Sequence, residues 1–274
     1  MQIGEFHELE IVKEVDFGVY LASERGEILL PTKYLPEEVK IGKTINVFLY
    51  KDSEDRLIAT TLQPYGKLND FVALEVRDSA PHGAYMDWGL EKDLLVPTKE
   101  QPQPYRIGEI HVVRICLDYK TDRLIGVGKI NAFLDNDYTR LEEGQEVEIL
   151  VYGETELGFS AVVDQEYSGL LYKNEVFQPV RIGDKLRGYV KKLREDGKID
   201  LRLGQVGVEA IDINGEKILK LLKNNDGFIG LHDKSSPEEI ILKTKMSKKA
   251  FKKAIGGLYK QQLIEIKENG IELK

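Results

Sequence analysis

Several residue groups in this sequence suit recognition chemistry. Phe17 and Tyr20 flank Gly18, and His82 and Tyr85 flank Gly83, each pair three residues apart. Rings held this close to a glycine offer flat π-faces to any planar partner. Asp52 and Arg56 stand four apart, and Asp118 and Arg123 stand five apart. An acid beside a guanidinium can hydrogen-bond polar edges and compensate negative charge. A third group comprises Phe159, Tyr172, Arg187, Lys191, Arg194 and Lys198. Finally, Lys245, Lys249, Lys252, Lys253 and Lys260 crowd one region, with no acid between Ser247 and Gln262. Such a cluster suits a polyanion.

Bond-making chemistry is poorly represented. The chain has one cysteine, Cys116, so it holds no internal disulfide and no multi-thiolate zinc site. Cys116 sits in a strand-like run, Ile110 to Asp118, and reads as a small buried hydrophobe. His7, His82, His111 and His232 are scattered without ligand spacing. There is no phosphate-cradling Gly-x-x-x-x-Gly-Lys loop and no Ser/His/Asp set. The sequence predicts no metal, no cofactor and no enzyme activity. It also shows neither a leader-like N-terminus nor an apolar run of about 20 residues, so the expected location is the cytoplasm, with no membrane partner.

These residues are placed by a unit that occurs three times. Ile41-Gly42, Ile107-Gly108 and Ile182-Gly183 each open a β-rich run that closes on Ile58, Ile125 and Ile199, after 17, 18 and 17 residues. Upstream of each lies an apolar patch, Ile28 to Pro31, Leu94 to Pro97 and Gly169 to Tyr172. Further upstream come Gly18, Gly83 and Gly158 beside their aromatic neighbours. Short strands joined by polar turns at this spacing predict small barrels or sandwiches. Closing the sheet removes its exposed edges.

After Leu203-Gly204 the hydrophobic period lengthens towards 3.6. A first helix over Glu216 to Lys223 carries Ile218, Leu221 and Leu222 on one face. Ser235-Ser236-Pro237 starts a second helix, and Ser247 caps a third. In the third, Phe251, Ala254, Ile255 and Leu258 share one face, with Lys245, Lys249, Lys252, Lys253 and Lys260 opposite. Glu268-Asn269-Gly270 between β-runs predicts a hairpin. Helix, helix, basic helix and hairpin is the winged-helix order. The expected domains are 1–64, 65–135, 136–205 and 206–274.

The order Phe-Gly-x-aromatic, apolar patch, Ile-Gly strand and Asp-x-x-x-Arg resembles the S1-type RNA-binding domain, a five-stranded OB-fold barrel. In that family two aromatics, a histidine, an Asp and an Arg make the binding face, which carries base stacking and backbone charge. The first copy supplies Phe17, Tyr20, Asp52 and Arg56, with Leu30 in place of the histidine. The second supplies His82, Tyr85, Asp118 and Arg123, with Val96 in place of the histidine. Trp88 could widen its platform or plug its barrel. The third departs most. Leu157 and Ser160 take the ring positions, with Phe159 between them. Tyr172 takes the histidine position, and Arg194 and Lys198 take the Asp and Arg. Arg187, Lys191 and Lys192 make that face more basic. Simple strand alternation puts Phe17 and Tyr20 on opposite faces unless the chain bends near Gly18.

Three such barrels followed by a winged helix resemble, over nearly the full chain, the bacterial conserved virulence factor B family. The fold class implied is mainly β with a C-terminal α+β domain. The resemblance implies RNA binding and post-transcriptional regulation. The net charge is −8, yet the distribution is uneven. Residues 1–144 hold 17 basic and 26 acidic side chains, whereas 207–274 hold 13 and 10. Single-stranded RNA is therefore expected at the third barrel and the basic winged helix. A DNA-binding transcriptional regulator and a protein-binding scaffold are the alternatives.

Overall fold

A computed structural model of the protein describes residues 1–135, 137–176, 178–204 and 213–274. The expected boundary at 205/206 lies outside the described residues. The chain forms two compact units. One holds Met1–Asp137, Glu148–Gly169 and Arg181–Leu186; the other holds Tyr138–Val147, Leu170–Val180 and Arg187–Lys274.

The first barrel consists of β1 (Phe6–Val15), β2 (Gly18–Leu21), β3 (Ile28–Pro31), β4 (Thr44–Lys51) and β5 (Leu57–Thr60). The second consists of β6 (Phe71–Ala80), β7 (Gly83–Asp87), β8 (Leu94–Pro97), β9 (Ile110–Asp118) and β10 (Arg123–Val127). The third consists of β11 (Glu146–Glu154), β12 (Gly158–Val163), β13 (Tyr167–Tyr172), β14 (Lys185–Leu193) and β15 (Ile199–Arg202). Each closes in the same strand order, first, second, third, fifth, fourth and back to the first. In the first two, the third and fifth strands pair in parallel, at Leu29↔Ile58 and Leu95↔Ile125.

One device recurs in all three copies. The long first strand slips register once against the second, at Ile11/Lys13, Val76/Asp78 and Val151/Gly153. A bulge adds local twist and bends the strand, which a five-stranded barrel needs in order to close. The slip also fixes equivalence between copies, because Tyr20, Tyr85 and Ser160 each pair with the residue just after it.

The inside-outside alternation of a half-buried strand is absent from Val47 to Tyr50, for a physical reason. Val47, Phe48, Leu49 and Tyr50 are all buried. Val47 and Leu49 fill the first barrel, whereas Phe48 and Tyr50 pack into the core of the second. A strand buried on both faces loses its period of two. Phe48 meets Phe6 at 5.2 Å between ring centres and Trp88 at 5.9 Å. Trp88 is 3% exposed, and its Nε1 donates to the Lys92 carbonyl at 2.6 Å. It neither widens a stacking platform nor plugs its own barrel alone: it seals the joint between barrels one and two.

The C-terminal domain holds α1 (Ile213–Lys223), β16 (Phe228–Ile229), α2 (Pro237–Thr244), α3 (Lys248–Lys260), β17 (Ile264–Lys267) and β18 (Gly270–Leu273). The strands order β16-β18-β17. Ser236 and Glu239 form a reciprocal capping box at the start of α2, and Ser247 accepts from the Ala250 amide at the start of α3. Ile218, Leu222, Ile240, Phe251, Ile255, Leu258, Ile264 and Ile271 make one core. Lys245 does not belong to α3. It closes α2 in a left-handed conformation, φ 58°, so the lysine face of α3 starts at Lys249. No helix among the described residues is long and apolar enough to cross a membrane.

Candidate nucleic-acid interface

Phe17 lies in the turn between β1 and β2, outside the strand, so alternation does not govern it. At Gly18 φ is +152°, and a Cβ there would lie 2.2 Å from the Leu30 carbonyl oxygen. The glycine lets the turn press onto β3 and swings Phe17 to the side of Tyr20. The two rings meet edge-on, 6.5 Å apart at 83°. Phe17 is 57% exposed, and the Lys13 ammonium sits 5.6 Å above the Tyr20 ring. The bend that joint stacking requires is present.

The second barrel repeats this arrangement. Gly83 presses on the Val96 carbonyl, where a Cβ would come within 2.5 Å. His82 and Tyr85 meet at 5.7 Å and 81°, and His82 Nε2 lies 2.7 Å from the Tyr85 hydroxyl. His82 is exposed and Tyr85 half-buried.

The acid–base positions diverge between copies. In barrel one, Asp52 accepts both Nε and Nη2 of Arg56, at 2.8 and 2.7 Å. It also accepts the backbone amides of Glu54 and Arg56. Partial burial opposes its ionisation, but these donors hold its carboxyl below the usual range. In barrel two the expected Asp118–Arg123 pair does not form. Asp118 caps its own turn, accepting from the Lys120 amide and the Thr121 hydroxyl. Arg123 instead reaches Asp55 of barrel one, with two contacts of 2.5 Å. The extra residue between Asp118 and Arg123 lengthens that turn and frees the arginine.

In the third barrel Leu157 is exposed, and Phe159 lies on β12 half-buried. In the other compact unit, Tyr172 donates to Asp200 at 3.2 Å, and Arg194 reaches the Tyr172 hydroxyl at 3.4 Å. Lys191 sits 5.8 Å above the Tyr172 ring. Several cations of this more basic face are paired. Arg194 pairs with Asp196, Lys191 with Glu175, and Arg187 with Glu146. Lys192 and Lys198 are exposed, with no ion pair among the described residues.

The C-terminal domain gathers the charge. Lys249, Lys252, Lys253 and Lys260 are exposed on α3, opposite the buried face of Phe251, Ala254, Ile255 and Leu258. Lys249 and Lys252 have no ion pair among the described residues. At 3.6 residues per turn, Gly256 falls at the middle of this lysine face. Nothing lies within 4 Å of the place its Cβ would occupy. Tyr259, 52% exposed, stands at the rim. Sequence reading missed both residues, although Gly256 falls three or four positions from Lys252, Lys253 and Lys260, and Tyr259 three from Gly256. Among the described residues no group of three or more His, Cys, Asp or Glu is placed to hold a metal ion.

Closed five-stranded barrels of this strand order and a winged helix with a basic third helix are folds of nucleic-acid-binding proteins. The S1 domain family matches residues 3–62, and the CvfB-like winged helix domain family matches 216–273. The chain is similar to the conserved virulence factor B proteins. It is 26% identical to the Staphylococcus aureus protein over 245 residues, covering 86% of this chain and 81% of that one. It is 28% identical to the uncharacterized protein YitL of Bacillus subtilis over 281 residues, covering 98% and 93%. A solved multidomain protein with nucleic acid binding domains from Streptococcus pneumoniae shares 26% identity, with 99% of this chain and 98% of that one covered and a TM-score of 0.49.

Proposed function

We propose that this protein binds single-stranded RNA through its third barrel and the lysine face of α3, and acts as a post-transcriptional regulator. The observation that carries this reading is α3 itself. In a chain of net charge −8, its outer face holds Lys249, Lys252, Lys253 and Lys260 and no acid. Holding like charges together costs free energy that a bound polyanion returns. Tyr172, Lys191, Arg194 and Lys198 of the third barrel add a ring and further donors, while Phe17, Tyr20, Arg56, His82 and Tyr85 supply rings and charge in the first two. The four domains are taken as 1–64, 65–135, 136–205 and 206–274.

A winged helix also favours a second reading, in which α3 enters the major groove of duplex DNA. Competition between duplex DNA and single-stranded RNA of matched length, across a salt series, separates the two. The RNA reading expects unpaired RNA to displace duplex DNA at every salt concentration. Preference for the duplex would overturn it.

A further inference from the structure

We propose that a cavity between barrels two and three is a site for a small, neutral, planar heterocycle no larger than a purine nucleoside. It shares no residue with the ring pairs of the first two barrels or with α3, and it does not depend on the RNA reading above.

The cavity measures about 510 Å³, within the range of small-molecule sites. Its walls come from the loop between β8 and β9, the start of β9, the short 3₁₀ turn Ile130–Phe133 and the bulged stretch of β11. All of these belong to the first compact unit.

The lining sets the chemistry of the ligand. Tyr105 is 3% exposed, and its hydroxyl has no hydrogen-bond partner among the described residues. The hydroxyl stands at the Gly128 wall, where a Cβ on that glycine would lie 2.0 Å from it. Burial alone acts on the hydroxyl and pushes its pKa up to about 12, so it is a protonated donor at neutral pH. A buried donor left unpaired costs free energy that an acceptor on a ligand returns. On the barrel-three side, Tyr152 is the extra residue at the Val151/Gly153 slip, and its hydroxyl donates to Asn131 Oδ1 at 3.0 Å. The Asn131 amide nitrogen keeps two N–H donors for a ligand.

Shape and charge narrow the choice. Tyr105 stacks on His111 at 3.7 Å between ring centres and 4° between planes, and Tyr152 adds a ring on another wall. Flat walls favour a flat ligand. His111 Nε2 is engaged by Glu109 at 2.9 Å, and the Lys129 ammonium donates to the Lys99 carbonyl at 2.6 Å. Apart from His111, the charged side chains of the lining are Lys129 and Glu154, of opposite sign. A neutral ligand therefore meets no net charge, while Val112, Ile130 and Ile182 offer apolar contact. The donors of Tyr105 and Asn131 call for acceptors along its edge, as ring nitrogens and a ring carbonyl provide.

The test is calorimetric titration of the full chain with hypoxanthine, inosine and nicotinamide, and with myo-inositol as a neutral non-planar control. At least one planar probe should bind with one-to-one stoichiometry, and inositol should give no heat. Tyr105→Phe keeps the ring and its stack and removes only the hydroxyl. It should weaken that probe by about 2- to 12-fold, the worth of one neutral hydrogen bond, with a Tm equal to or above that of wild type. Ala132→Trp, at an exposed position of the lining, should fill the cavity and abolish binding. Phe17→Ala combined with Tyr85→Leu should leave the affinity for the probe unchanged, because neither ring lines the cavity. Silence from all three planar probes, equal binding of inositol, indifference to Tyr105→Phe or to Ala132→Trp, or loss of binding in the Phe17/Tyr85 variant would overturn the proposal. A chain that binds RNA but none of the planar probes removes this proposal and leaves the RNA reading standing.

Discussion

At the scale of single residues, Gly18 does the most for the candidate face. Its φ of +152° and its 2.2 Å Cβ approach to the Leu30 carbonyl leave no room for a side chain. Gly18→Ala should destabilise the protein by at least ~1–3 kcal/mol, the usual cost of a disallowed backbone conformation. It should also separate Phe17 from Tyr20. A lowered Tm together with weaker binding of a single-stranded probe checks both effects. An unshifted Tm would show that the turn relaxes freely. The ring positions were legible in sequence because the glycine and both aromatics recur at fixed spacing. Their shared orientation was not, since period-two reasoning assumes that Phe17 belongs to a strand, and it lies in the turn. The partner of Arg123 was equally hidden. Sequence spacing suggests Asp118, but a turn one residue longer delivers the guanidinium to Asp55 of the neighbouring barrel.

At the scale of elements, the repeated barrel and the winged helix could be read from pattern. Short β-runs, a shift to period 3.6, two serine caps and the Asn-Gly hairpin all have local causes. What could not be read was which face of each strand meets a second core. The buried run Val47 to Tyr50 carries that information as a loss of alternation, yet such a loss alone does not name the partner. Helix α3 gives a clean prediction. Glycine inside a helix costs about 0.5–1 kcal/mol relative to alanine, and nothing crowds the Gly256 position. Gly256→Ala should therefore stabilise the protein by that amount, measured by urea melts. If α3 lies close along a nucleic-acid backbone, the same methyl should weaken binding despite the gain in stability. Unchanged affinity would place the bound backbone away from the centre of the helix.

At the scale of the whole molecule, charge is divided: residues 1–144 are net acidic and residues 207–274 net basic. The joint between barrels one and two depends partly on Asp55, whose carboxyl the Arg123 guanidinium holds below its ordinary value of 3.8. A depressed folded-state pKa contributes stability that is complete above the unfolded value, about pH 4, and is lost as the pH falls through the lowered one. Asp55→Asn should therefore be less stable than wild type near neutrality, with the difference closing as the pH falls through the lowered value. A constant difference at all pH values would mean that the pair contributes packing alone. Burial, with Arg123 adding repulsion, lowers the affinity of Lys92 for its proton, so this end of the joint does not weaken in acid. The account as a whole turns on phosphate neutralisation at α3. The most direct measurement is the salt dependence of single-stranded RNA affinity for wild type and for Lys249→Ala, Lys252→Ala, Lys253→Ala together. Each lost phosphate contact should reduce the logarithmic slope by about 0.7, so the triple variant should lose up to about two units, with its deficit greatest at low salt. Parallel lines at equal affinity would contradict the account.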